Sequence, residues 1–203
     1  MRIFIPQEDR MARQREFDRD TALKQALEVF WQKGYAAAST ADLLVAMQIG
    51  RQSMYDTFGD KHALYLEALR QYNDASTTEL LRALQGDTAL DSIANMLLAF
   101  ASRPERDNAK GCMGINAICE FGTGDDKINA LRGVSSARIN GAVEKVLRDA
   151  VAAGEMAAGT DIRHAVSFIA ATLAGMKVSA KAGCDMATLR AIADFAIQAL
   201  RAA

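Results

Sequence analysis

Leu23, Ala26, Leu27, Phe30 and Trp31 recur at i, i+3, i+4, i+7 and i+8, a single apolar stripe of helical period. The stripe predicts a helix over 21–33, with Asp20 at its N-cap and Gly34 at the position where helices often turn left-handed. Ser39-Thr40-Ala41-Asp42 is a capping box with Asp in place of Glu, and it opens a second helix whose core residues are Leu43, Leu44 and Met47. The turn Gln48-Ile49-Gly50 leads into a third helix over 51–58 that buries Met54 and Phe58, with Ile49 pinning the pair from inside. Gly59 ends it, and Asp60 caps a fourth helix running from Lys61 to about residue 84 with Leu64, Ala68, Leu69 and Tyr72 inward. After the break at Gln85-Gly86-Asp87, the period predicts helices over 89–102, 111–121, 125–153, 161–182 and 186–202. The polar stretch 103–110, with Pro104, reads as a loop. The pattern is all-α: nine helices and no strand.

Two short helices joined by a three- or four-residue turn put the second on an exposed edge. That edge begins with Arg51, Gln52 and Ser53, and continues with Tyr55 and Thr57 on later turns. Arg pairs with guanine edges, Gln with adenine and Ser with either, while hydroxyls, ammoniums and free helix-start N–H groups suit phosphate oxygens. The competing reading is a solvated polar face on a small bundle. The caps, the turn and the flanking helices all in register favour DNA.

Ala26-Leu27 with Phe30, the Lys33-Gly34-Tyr35 turn, Ser39 with Asp42-Leu43, and Ser53-Met54-Tyr55 with Phe58-Gly59-Asp60-Lys61 together resemble the N-terminal DNA-binding domain of the TetR family of bacterial transcriptional regulators. The likeness runs over about 15–69. It implies that 51–58 is the recognition helix and that Lys61 meets a phosphate. The DNA-facing set is then Ser39, Thr40, Gly50, Arg51, Gln52, Ser53, Tyr55, Thr57 and Lys61. Two positions depart from the family pattern. Gln48 stands at a turn position that is often Gly, which requires a positive φ, and Gly50 replaces a common Ser or Thr cap. The resemblance also implies a small-molecule inducer held in the C-terminal helices, and a homodimer formed by the last two of them on a palindromic operator. The expected organisation is a flexible basic arm over 1–14, a helix-turn-helix domain over 15–60, and a ligand-binding and dimerisation domain over 61–203.

Composition adds limits rather than direction. The 203 residues carry a net charge of −1, and residues 1–61 hold nine Lys or Arg against nine Asp or Glu, so bulk charge does not argue for DNA. Arg10, Arg13, Arg15 and Arg19 form a locally basic arm that could reach phosphates or remain solvated. Met11 is an alternative start to Met1, and Ile3-Phe4-Ile5 is too short for a signal-peptide core. The longest uncharged run, 164–176, is too short to span a membrane, which leaves a soluble cytoplasmic protein as the expectation. Ala170, Ala171, Ala174, Gly175, Ala180, Ala193 and Ala196 would let another helix approach the last two closely.

The ligand-pocket candidates are Met96, Phe100, Met113, Asn116, Phe121, Phe168 and Met176, each with plain core as the alternative; Asn116 stands out as an amide on an apolar helix. Cys112 and Cys119 lie seven residues apart on one helix, about 10.5 Å at ~1.5 Å per residue, too far for a disulfide. Buried small residues are the simple reading of the cysteines. A thiol sensor of oxidants or electrophiles through Cys112 is the alternative function. There is no Gly-rich phosphate loop, paired-histidine metal motif or nucleophile–base pairing, so neither an enzyme, a metal site nor a cofactor is expected.

Overall fold

The computed structural model describes residues 17–102 and 105–202. The described chain is all helical: α1 (Arg19–Ala37), α2 (Thr40–Met47), α3 (Arg51–Phe58), α4 (Lys61–Ala83), α5 (Ala89–Leu98) with a 3-10 turn (Ala99–Ser102), α6 (Glu105–Lys110), α7 (Met113–Phe121), α8 (Asp126–Ala152), α9 (Ile162–Lys181) and α10 (Met186–Ala202). The nine expected helices are all present, and α6 is additional. The polar composition that predicted a loop there marks a solvated helix, whose last residue bonds Asp107 at 3.0 Å and Glu28 at 2.6 Å.

Local chemistry explains most of the boundaries. α1 begins two residues earlier than expected, because Asp18, in extended geometry, accepts the N–H groups of Asp20 and Thr21 at 2.8 and 3.1 Å. Asp20 therefore lies inside the first turn and is not the cap. Gly34 interrupts α1 at φ 78°, ψ 174°, a region essentially open to glycine alone. Asp60, Thr88, Asp125 and Asp161 cap α4, α5, α8 and α9 through their side chains. Arg19, read from sequence as part of a basic arm that could reach phosphates or remain solvated, is held by Glu67 at 2.6 Å and sits over the Phe58 ring. The arm itself, 1–14, and Arg15 lie outside the described residues.

Two apolar cores share the long helices. The first joins α1, α2, α3 and the start of α4 through Phe30, Leu43, Met54, Phe58, Leu64 and Tyr65, and it takes in Met113 and Ala117 from α7 and Ile128 from α8. The second packs Leu80, α5, the far half of α8, α9 and α10. Each fully buried Leu or Phe contributes on the order of 1.5–3 kcal/mol. Because α4, α7 and α8 feed the first core, the N-terminal helices are fused to the rest and do not hang from a linker.

α9 has three distinct faces. Ala165, Ile169, Leu173 and Met176 point into the second core. Ala170, Ala174 and Lys177 border a cavity. Phe168, Ala171, Gly175 and Val178 form an outward stripe, with Phe168 and Val178 standing well exposed. On α10, Phe195 is 72% exposed. The small residues divide likewise: Ala180, Ala193 and Ala196 are used inside the protomer, while Ala170, Ala171, Ala174 and Gly175 remain open.

Candidate nucleic-acid interface and effector cavity

α2 is fixed by a reciprocal cap: Asp42 N donates to Ser39 Oγ at 3.1 Å and Ser39 N donates to Asp42 Oδ2 at 3.0 Å. Lys33 adds a 2.8 Å ion pair to Asp42, and this bond, followed by those from Ser39, brings the carboxyl down to about 2. A depressed carboxylate stabilises the fold above its unfolded value of 3.8, and that contribution is lost as pH falls from there through about 2. Gln48 then closes α2 in the left-handed region at φ 56°, ψ 39°, as the turn spacing requires. A residue with a Cβ is strained there by about 1–2 kcal/mol. Gln48→Gly is therefore expected to raise the melting temperature by roughly 2–4 °C per kcal/mol recovered, read by calorimetry; no rise would mean the strain is relieved elsewhere.

α3 follows with Gly50 as its cap, so no side chain accepts the N–H groups of its first turn. Met54 and Phe58 anchor its inner face; Arg51, Gln52, Tyr55 and Asp56 are exposed, and Ser53 and Thr57 half-exposed. The outer edge is not all cationic or neutral. Gln52 Nε2 donates to Asp56 Oδ1 at 2.8 Å, so one of its two amide N–H groups is engaged by a carboxylate that phosphates repel. Lys61, in the first turn of α4, lies half-buried with its Nζ 4.4 Å from the centre of the Tyr35 ring.

Polar contacts besides the Lys110–Glu28 pair tie these helices to the C-terminal half. Trp31 Nε1 donates to the Gly111 carbonyl at 2.8 Å. Glu120, on α7, accepts from Tyr35 N at 2.9 Å and Ala36 N at 3.0 Å, catching the backbone just after the Gly34 kink. His62 Nε2 donates to Asp125 Oδ2 at 2.6 Å, linking the start of α4 to the cap of α8. The Asp125 carboxyl is lowered first by the Ile128 N–H and then by His62. Tyr35, Tyr65 and Phe121 fill the space between, with ring centres 5.1–5.6 Å apart.

Behind α7, a cavity of about 210 Å3 opens between α4, α7, α8 and α9. Ile115, Ile118, Ile139 and Leu173 form its apolar wall; Asn73, Arg132, Ser135, Ser136, Asn140 and Lys177 supply polar atoms. α7 thus lines the cavity and, through Glu120, holds the helix-turn-helix unit.

Comparison with known proteins decides the family. Residues 22–68 match the model for bacterial regulatory proteins of the tetR family, and residues 86–195 match the tetracyclin repressor-like C-terminal domain. The chain belongs to the TetR family. It is a DNA-binding transcriptional regulator. Among curated relatives, the HTH-type transcriptional repressor ComR of Escherichia coli is 29% identical over 184 residues, 89% of this chain and 88% of that one. Among solved structures, a cysteine mutant of the TetR-family regulator CifR, complexed with 26-base-pair double-strand operator DNA, is 32% identical with a TM-score of 0.70, over 92% of this chain and 99% of that one. Regulatory protein TetR from Rhodobacter sphaeroides, at 20% identity and a TM-score of 0.77 over 88% and 96% of the chains, shares the fold. These relatives are regulators, not enzymes.

Within this TetR-family fold, the α2–α3 residues sit where the spacing put them: Ser39 and Thr40 at the start of α2, and Gly50 to Thr57 along the α3 edge. The seven expected pocket residues are not gathered. Met96, Met113 and Met176 are core, at 0–1% exposure, because each falls on the inward face of its helix. Phe100 is also buried, Phe121 belongs to the aromatic joint, and Phe168 lies on the outward stripe of α9. Asn116 does find partners, donating to the Lys110 carbonyl and accepting from Lys181 Nζ at 3.0 Å, beside the cavity rather than in it. None of the seven lines the cavity, whose lining includes Asn73 and Lys177, polar positions on inward helical stripes that the sequence reading did not single out. Cys112 is half-buried at the cavity edge, Cys119 and Cys184 are exposed, and all three are free. The comparisons support a DNA-binding regulator and do not favour the thiol-sensor alternative. Among the described residues no His, Cys, Asp and Glu cluster could hold a metal ion, and no helix is long and apolar enough to cross a membrane.

Proposed function

We propose that the protein is a homodimeric repressor that binds a palindromic operator with two copies of α3 and lets go when a small molecule enters the cavity beside α7. The observation that carries this reading is the double use of α7. Ile115 and Ile118 face the cavity, while Glu120, two residues beyond Ile118, grips the backbone at Tyr35 and Ala36. An occupant that displaces α7 must therefore pull on α1, and through it on α3. Binding that favours this displaced arrangement lowers operator affinity by its differential affinity for the two states. The working division is a helix-turn-helix unit over 15–60 and an effector and dimer unit over 61–203, acting in the bacterial cytoplasm.

The dimer would form through the outward stripes of α9 and α10, where Phe168, Val178 and Phe195 are large apolar side chains left exposed by the protomer. A twofold axis there places the recognition helices on successive major grooves, about 34–36 Å apart. Arg51, Gln52 and Ser53 would read bases; Tyr55, Thr57, Lys61 and the helix starts at Ser39, Thr40 and Gly50 would hold phosphates. The repressor sign follows the name of ComR. Selection of sites from random DNA, followed by sedimentation of the complex, tests the reading: an inverted repeat bound by two protomers is expected, and recovery of a non-repeated site bound by one would overturn it.

A further inference from the structure

The cavity contains buried polar groups that lack partners. Asn73, on α4, is 9% exposed, and its Nδ2 has no hydrogen-bond acceptor. Lys177, on α9, is also 9% exposed and makes no ion pair or hydrogen bond among the described residues. Arg132, on α8, bonds only the amide oxygen of Asn129, at 3.1 Å. Two cationic side chains and an orphaned amide donor thus face one space, and no Asp or Glu is among the residues that line it. A buried donor without an acceptor is destabilising, and an unpaired buried cation more so. Such an arrangement is stable at rest only at a penalty, which an incoming acceptor removes.

Gly114 keeps the amide uncovered, since a Cβ at that position would lie 3.2 Å from Asn73 Oδ1. The opposite wall is hydrocarbon, from Ile115, Ile118, Ile139 and Leu173. A volume of about 210 Å3 is smaller than the ~300–1,000 Å3 typical of sites for drug-sized molecules.

We infer that the effector is a small organic monocarboxylate, its carboxylate received by Asn73 Nδ2, Lys177 and Arg132 and its short apolar body laid against the isoleucine wall. The inference rests on the reading of this cavity as the effector site. Charge-assisted hydrogen bonds to a carboxylate are roughly twice as strong as neutral ones, so the site should separate an acid from its amide.

Titration calorimetry of the full-length protein with benzoate and hexanoate, and with benzamide and hexanamide as neutral isosteres, tests this. At least one carboxylate should bind about tenfold or more tightly than its amide. Lys177→Met and Asn73→Leu should each erase that preference, and each should raise the melting temperature of the unliganded protein, because an unpaired polar group has left the interior. Equal binding of acid and amide, carboxylate binding unchanged in both variants, or no binding of either acid at millimolar concentration would overturn the inference. Operator binding is followed in the same samples by fluorescence anisotropy. Release by neutral compounds alone would sink the carboxylate site and leave induction standing. A Lys177-dependent carboxylate that leaves the operator bound would support the site and sink induction through it.

Discussion

Phe195→Asp is expected to give a monomer that no longer holds its operator. Phe195 stands 72% exposed on α10, and the α9 residues Phe168, Ala171, Gly175 and Val178 are exposed too. Twofold symmetry would double any charge placed there, and the two carboxylates would meet in a surface otherwise built from apolar groups. Because the side chain makes so little of the protomer core, thermal stability of the monomer itself should change by no more than about 0.5 kcal/mol. Operator affinity should fall by roughly 10²–10⁴, the advantage lost when the second half-site is no longer bound by a tethered partner. Analytical ultracentrifugation and anisotropy on the same sample read both quantities. A dimer that survives the substitution would move the interface away from α10.

Arg51→Ala should have the next largest effect. A bidentate arginine–guanine contact is worth about 1–3 kcal/mol of discrimination, and a dimer makes it twice, so about 2–6 kcal/mol is at stake per operator. That corresponds to a loss from roughly thirtyfold to over ten-thousandfold, confined to the preferred base at one position in each half-site. Gln52→Ala should cost less, because one Gln52 N–H already donates to Asp56, whose carboxylate would come close to the DNA with it. Binding measured against an operator series with every base at the contacted position separates the two. An Arg51→Ala protein with uniform weakening across that series would make the residue a phosphate contact and leave base reading to its neighbours.

The difference between what could and could not be read from the chain is a difference between local and non-local causes. The Ser39–Asp42 cap, the left-handed Gln48 and the Met54–Phe58 anchor are decided within four residues of themselves, and the helix-turn-helix was legible for that reason. α6 was missed because its polar sequence has no apolar stripe, and what fixes Lys110 includes Glu28, 82 positions away. The cavity was missed for a related reason. Met96, Met113 and Met176 have the composition of a pocket lining, but helix crossings turn them into packed core. Asn73 and Lys177 stand on the same inward stripes with no partner. At such positions, polarity was the better guide than size or softness.

The Trp31–Gly111 contact has a practical consequence. Trp31 is the only tryptophan in the chain, and it is nearly buried, with its indole bonded to a backbone carbonyl at 2.8 Å, its ring edge-on to Tyr72 at 5.2 Å and the Lys110 ammonium 4.4 Å above it. Emission from an indole depends on the polarity and charge around it, and here all of those neighbours belong to the seam between the N-terminal helices and the C-terminal half. The protein therefore carries its own optical probe at the point where the two halves meet. A shift in its fluorescence on adding an effector, compared in time with operator release, would reveal whether the seam opens before the DNA is lost, without any label attached.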